Sequence, residues 1–126
     1  MYNVLVCDDD KAIVDSTAIY LKAEGYRVFS AFNGKEALDV LFQNEIHCVV
    51  MDIMMPVMDG LEATRQIRTL NRMDTKEIPI IAMTANAFQD DIRNCIDAGM
   101  NAHIAKPIDS KKIEDTLQLV LKQKIQ

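Results

Sequence analysis

The 126-residue chain predicts an α/β fold: a doubly wound, five-stranded parallel sheet with five helices. Three observations predict it. Five short apolar runs alternate with five stretches of helical periodicity, the pattern of a parallel sheet covered on both faces. The connections between them are short. The run Cys48-Val49-Val50-Met51-Asp52 is apolar until it stops on a carboxylate, after which Pro56 and Gly60 break the chain. Such a run reads as a strand buried on both faces.

The first strand spans Tyr2 to Cys7 and ends at Asp8-Asp9-Asp10. A helix follows from Lys11 to Glu24, with Ile13, Thr17, Tyr20 and Leu21 at i, i+4, i+7 and i+8, and Gly25 ends it. Tyr26 to Ala31 is the second strand. Asn33 and Glu36 have capping-box spacing and open a second helix through Ala37, Leu38, Leu41 and Phe42. The central strand runs from Ile46 to Asp52. Asp59 and Glu62 repeat the cap spacing before a helix lined by Leu61, Thr64 and Ile67, ending near Leu70. The polar segment from Asn71 to Glu77 reads as a loop. Ile78 to Met83 is the fourth strand, with Pro79 near its start, where proline is tolerated. Asn86 and Gln89 give a third cap; Phe88, Ile92, Cys95 and Ile96 supply the stripe, and Gly99 stops it. Ala102 to Ala105 is a short fifth strand. Asp109 caps the last helix, whose stripe is Ile113, Leu117, Val120 and Leu121.

This length fits one domain, 1–126, able to bury a core without disulfides or metals. The net charge of −5 argues against a nucleic-acid surface. Cys7, Cys48 and Cys95 are too few for a disulfide framework and lack metal-ligand spacing, so they read as buried, reduced thiols. No apolar stretch reaches the roughly 20 residues of a membrane span, and Met1 leads straight into a strand rather than a signal peptide. The expected location is the cytoplasm.

Strands one, three, four and five end in Asp8 and Asp9, Asp52, Thr84, and Lys106. Doubly wound sheets have two common strand orders, and periodicity does not choose between them. Order 2-1-3-4-5 makes strands one and three neighbours at the switch point where such sheets bind ligands. Asp8, Asp9 and Asp52 then converge, with Thr84 and Lys106 close by. Clustered carboxylates repel one another, and a hard divalent cation removes the conflict; Mg²⁺ suits a set of one or two carboxylates, water and phosphate oxygens. A lysine adds positive charge, and a threonine hydroxyl can donate to a phosphoryl oxygen. Phosphoryl transfer asks mainly for positioning and charge neutralisation. An ionised aspartate is a competent nucleophile without a general base. Asp52 is therefore the candidate phosphoryl acceptor. Taken singly, each feature has a plainer reading as a turn, a cap or loop punctuation; their combination at one end of the sheet carries the inference. Met54, Met55 and Met58 read as gap-fillers. His47 and His103 lie beside strands without metal-ligand company, and neither is assigned a catalytic role.

Over essentially its whole length the chain resembles the receiver domain of two-component response regulators. The resemblance rests on Asp8-Asp9, on Asp52 with Met55-Pro56-Val57-Met58-Asp59-Gly60, on Met83-Thr84-Ala85 and on Lys106-Pro107. It implies the flavodoxin-like order 2-1-3-4-5. It also implies that Asp52 takes its phosphoryl group from a phosphohistidine on a sensor histidine kinase or phosphotransfer protein. Asp8, Asp9, Asp52 and the Met54 backbone carbonyl would hold Mg²⁺, with Asp9 in direct contact. Thr84, Lys106 and the Ala85 backbone N–H would receive the phosphoryl oxygens, and the Lys106–Pro107 bond would be cis. Such a domain is a switch rather than a turnover enzyme, catalysing its own phosphorylation and slow autodephosphorylation. Thr84 and the strand-five position, where His103 replaces the usual Tyr or Phe, are the implied switch residues. The implied listener is an output domain or partner protein, with a phosphorylation-dependent dimer as a further state. Ile108 departs from the Phe that follows Lys-Pro in receivers of winged-helix regulators. Thr84 to Phe88 is similar instead to receivers of hybrid sensor kinases, while the N-terminal half is similar to the regulator type, so no effector is named.

Three other functions fit less well. A haloacid-dehalogenase-type phosphatase wants a second carboxylate two residues after its nucleophile, where Met54 stands. A flavodoxin-like flavin carrier wants a Ser/Thr/Gly-rich phosphate loop where three aspartates lie. A binding module that is never phosphorylated has no use for the acidic pair, Thr84 and Lys106 together.

Overall fold

The computed structural model describes residues 2–70, 73–85 and 89–125. Its elements follow in the order β1 (Asn3–Cys7), α1 (Lys11–Ala23), β2 (Arg27–Ala31), α2 (Gly34–Gln43), β3 (Cys48–Asp52), α3 (Gly60–Thr69), α4 (Met73–Glu77), β4 (Ile80–Thr84), α5 (Gln89–Ala98), β5 (Ala102–Ala105) and α6 (Ser110–Ile125). All strand pairs are parallel, in the order β2-β1-β3-β4-β5.

Side chains alternate across a strand, so each strand feeds two apolar layers. Leu5, Cys7, Val49, Met51, Ile80 and Ala82 pack against Ala37 and Leu41 of α2, Ala63 and Ile67 of α3, and Cys95 of α5. Val4, Val6, Cys48, Val50, Ile81, Met83 and Ile104 pack against Val14 and Leu21 of α1 and Ile113, Leu117 and Leu121 of α6. Every residue of β3 and β4 is buried, which is why both read as unbroken apolar runs.

The helix ends follow their caps. The Asp10 carboxylate accepts from Ala12 N–H and starts α1, and Gly25, at φ +92°, lies just past its end. Asn33 Oδ1 accepts from Glu36 N–H at 2.9 Å, while the Glu36 carboxylate reaches back to Phe32 N–H. Asp59 accepts from Glu62 N–H at 2.8 Å, but the Glu62 carboxylate turns to Arg65 and Gln66, leaving half a capping box. Asp109 Oδ1 accepts from Lys112 N–H at the start of α6. The cap read at Asn86 and Gln89, with Phe88, lies outside the described residues or their described side chains.

Some readings need correction. The segment from Asn71 to Glu77 is not all loop: Met73–Glu77 forms α4, so six helices are described rather than five. Met, Lys and Glu favour a helix. Pro79 then limits it, because the residue before a proline avoids the helical region. Thr75, in the middle of α4, is buried, and Arg68 at the end of α3 donates to Thr75 O and Ile78 O, fixing the turn. Phe42 and Ile96, read as parts of apolar stripes, are exposed. In α1 the buried positions are Val14, Thr17, Ala18 and Leu21; Ile13 and Tyr20 lie at the rim.

Candidate functional site

Strand parity decides what meets at the C-terminal edge of the sheet. Register pairs Cys7 with Met51, so the next residues, Asp8 and Asp52, come out abreast. Asp8 shares the parity of Val4 and Val6, Asp52 that of Cys48 and Val50, and Lys106 that of Ile104; all three extend the layer beneath α1 and α6. Lys106 Nζ lies 2.9 Å from Asp8 Oδ2 and 3.0 Å from Asp52 Oδ2. Asp8 and Asp52 are buried and Asp9 is exposed. Asp8 Oδ1 accepts from Asp10 N–H and Asp52 Oδ1 from Met54 N–H, which orients both carboxylates. Lys106 N–H donates to Thr84 O at 2.8 Å, tying the end of β5 to the end of β4, and the Lys106–Pro107 peptide is cis.

Burial raises the Asp52 carboxyl above its ordinary value, and nearby Asp8 adds to this; the Met54 N–H and Lys106 pull the other way. Burial lowers Lys106, but its pairs with Asp8 and Asp52 outweigh that, and its net shift is upward. Two buried oxygens have no hydrogen-bond partner among the described residues: Asp8 Oδ2, which touches Lys106 off hydrogen-bond geometry, and Thr84 Oγ1. Unsatisfied buried polar atoms are costly, and sites that bind an ion or ligand are where they persist. Asp8, Asp9 and Asp52 each present an oxygen within 4.8 Å of the others. Three carboxylates face one ammonium, leaving an excess of negative charge that a hard dication fits. A shallow pocket of about 300 Å³ lined by Asp9, Met54, Met55, Pro56 and Asp59 opens this cluster to solvent.

Of the residues singled out in the sequence, Asp8, Asp52 and Lys106 are thus in direct contact, Asp9 joins them as a ligand-distance neighbour, and Thr84 lies on the adjoining strand end. Ala85 is exposed just beyond Thr84. Met54 is correctly on the loop but its side chain is 74% exposed, so it is no gap-filler; Met55 and Met58 do pack against the core. His103 stands apart, exposed on β5 and facing a groove with Lys112, Asp115 and Thr116 of α6.

Sequence reasoning missed the support beneath the β3–α3 loop. Gly34 N–H donates to Met58 O at 2.8 Å, and Cys7 Sγ sits 3.3 Å from Asn33 O and 3.5 Å from Met55 Sδ. Gly60 permits the return of the chain over Asp52, since a Cβ there would collide with Asp52 O. The signal was a glycine directly after each cap, Asn33-Gly34 and Asp59-Gly60, which capping alone does not require.

A five-stranded α/β sheet ending in an acidic cluster bridged by lysine defines a phosphoacceptor switch domain. Residues 4–118 match the family described as the response regulator receiver domain, and the chain belongs to that family, which serves two-component signal transduction by accepting phosphoryl groups. A probable histidine kinase 6 from Oryza sativa subsp. japonica is 35% identical over 130 aligned residues, covering 88% of this chain. This chain spans only 13% of that relative's length. The receiver domain of the sensor histidine kinase PA1611 from Pseudomonas aeruginosa PAO1, which carries a magnesium ion in its active-site cleft, is 34% identical. It matches with a TM-score of 0.87 over 96% of this chain and 98% of its own. The chemotaxis protein CheY4 of Vibrio cholerae is 28% identical and matches with a TM-score of 0.90 over 95% and 98% of the two chains.

Proposed function

We propose that Asp52 accepts a phosphoryl group from the phosphohistidine of a sensor histidine kinase or phosphotransfer protein in a Mg²⁺-dependent reaction, and that the whole span 1–126 works as one receiver domain. The observation that carries this is the shared ammonium: Lys106 pairs with Asp8 and Asp52 at 2.9 and 3.0 Å, beside a third carboxylate within metal-sharing distance. Asp8, Asp9, Asp52 and the Met54 carbonyl would hold the metal, which when bound neutralises charge on the transferring group. The chain's own residues do the rest. Asp52 is held by Met54 N–H and Lys106, so its oxygen is oriented for attack. The new P–O bond forms as the P–N bond to the donor imidazole breaks, and Asp52 has no proton to lose. Lys106, the orphan Thr84 hydroxyl and the Ala85 N–H receive the phosphoryl oxygens.

The domain then catalyses its own slow dephosphorylation. Thr84, drawn toward the new charge, and His103 carry the switch, because phosphate shifts the equilibrium only by contacting one state better than the other. An apolar groove of about 530 Å³ between α1 and the Lys106-Pro107-Ile108 turn, lined by Ile13 and Tyr20, gives the donor protein a route to Lys106. The listener is an output domain or partner protein, with dimerisation on phosphorylation as one output and no nucleic-acid contact by this domain. Cys7, Cys48 and Cys95 are buried and form no disulfide with one another, which supports the reducing cytoplasm. Among the described residues no helix is long and apolar enough to cross a membrane.

Acetyl phosphate with Mg²⁺ should add one phosphoryl group, labile in alkali and detected by intact mass. Asp52→Asn should abolish the addition; unchanged labelling would move the acceptor elsewhere.

A further inference from the structure

The β3–α3 loop, residues 53–59, has a shape that its own sequence does not favour. Met58 N–H donates to Pro56 O at 2.7 Å across Val57, which stands at φ +66°. That is a γ-turn with a positive central torsion, a rare and strained form. A β-branched residue there costs about 1–3 kcal/mol and persists only where the surroundings over-determine it. The Val57 side chain is 81% exposed, so its packing does not hold the turn.

The start of α2 does. Met58 is pinned on its other side by Gly34 N–H, which reaches Met58 O at 2.8 Å. A Cβ on Gly34 would stand 2.6 Å from that oxygen and 2.8 Å from Met58 Cγ, so glycine is what permits the contact. Cys7 adds a second tie. Its sulfur, one residue before Asp8, bridges Asn33 O at 3.3 Å and Met55 Sδ at 3.5 Å.

We propose that Gly34 and Cys7 are positioning residues for the divalent metal: they brace the β3–α3 loop from the start of α2 and the end of β1 and thereby set the site's metal affinity. This rests on the metal reading above, since the loop is the one expected to supply the Met54 carbonyl. Groups that hydrogen-bond a metal ligand commonly change its affinity by about 10–100-fold. Gly34 and Cys7 act one step further out, on the loop that carries the ligand, so the low end of that range applies.

The test is Mn²⁺ titration of the whole chain by calorimetry, with circular dichroism as the check on folding. Gly34→Ala should weaken binding about tenfold and Cys7→Ala should weaken it in the same direction. Arg68→Met, a destabilising change at the far edge of the sheet, should leave affinity unchanged. Folded Gly34→Ala with wild-type affinity overturns the brace, as does an equal loss in Arg68→Met, which would make the effect one of general stability. If Gly34→Ala does not fold, Cys7→Ala decides: weakened binding supports the brace and wild-type binding overturns it. A wild-type chain that binds no Mn²⁺, or an Asp9→Asn chain that binds it equally well, removes the metal reading itself, and the brace with it.

Discussion

Asp52 is buried, and its raised proton affinity has a sign that can be worked out. An acid whose folded value lies above its unfolded value of 3.8 costs stability at higher pH; the cost fades as pH falls through the folded value and is gone below 3.8. Without metal, Asp52→Asn should therefore be more stable than wild type at pH 7, with an advantage that shrinks toward pH 4. Urea denaturation across that range checks it; a constant or reversed difference would mean that the Lys106 pair outweighs burial. Lys106 behaves oppositely. Its contribution is complete below 10.5 and is lost as pH rises through its higher folded value. At Val57 the cost is conformational. Val57→Asn, a residue that tolerates positive φ, should raise stability by about 1 kcal/mol in the same assay.

Among the elements, the junction of α3, α4 and α5 depends on one side chain. Arg68 donates to Gly99 O through Nε and Nη2, to Thr75 O and Ile78 O through Nη1, and to Asn101 Oδ1. Burial pulls its guanidinium below the usual value, yet its donors are met. Arg68→Met removes these five hydrogen bonds and should cost about 3 kcal/mol by thermal or urea unfolding. No stripe or spacing announced this clamp, because a lone arginine near a helix end looks like any solvated charge. The short α4 was invisible for a related reason: five residues are too few to show a periodic face. Phe42 and Ile96 were misread because a stripe drawn from spacing alone overruns the narrow face a covering helix buries. The strands and most caps, by contrast, were legible, since an unbroken apolar run and a cap residue three positions before its partner each have few other uses. At the site, the residue types were legible and their division of labour was not. Three consecutive aspartates become a buried carboxylate at Asp8, an open one at Asp9 and a helix cap at Asp10, and only the alternation of β1 separates them.

For the molecule as a whole, the acidic rim gathers carboxylates whose repulsion a bound cation would relieve. A ligand that binds the folded state alone adds about 2.7 kcal/mol at a hundred times its Kd. Saturating Mg²⁺ should then raise Tm by about 10 °C for a domain of this size, with the gain reversed by EDTA and much reduced in Asp9→Asn. Calorimetry with and without metal measures it. The shared parity of Asp8, Asp52 and Lys106 has a consequence for how this chain can change. Inserting or deleting a single amino acid inside β1 or β3 would rotate the carboxylate away from its partners and exchange every side chain below it between the two layers. A slipped chain would forfeit its core and its chemistry in one event. Insertions and deletions should therefore be tolerated only in the connecting turns, and an intact acidic rim certifies that the strands beneath it are correctly threaded.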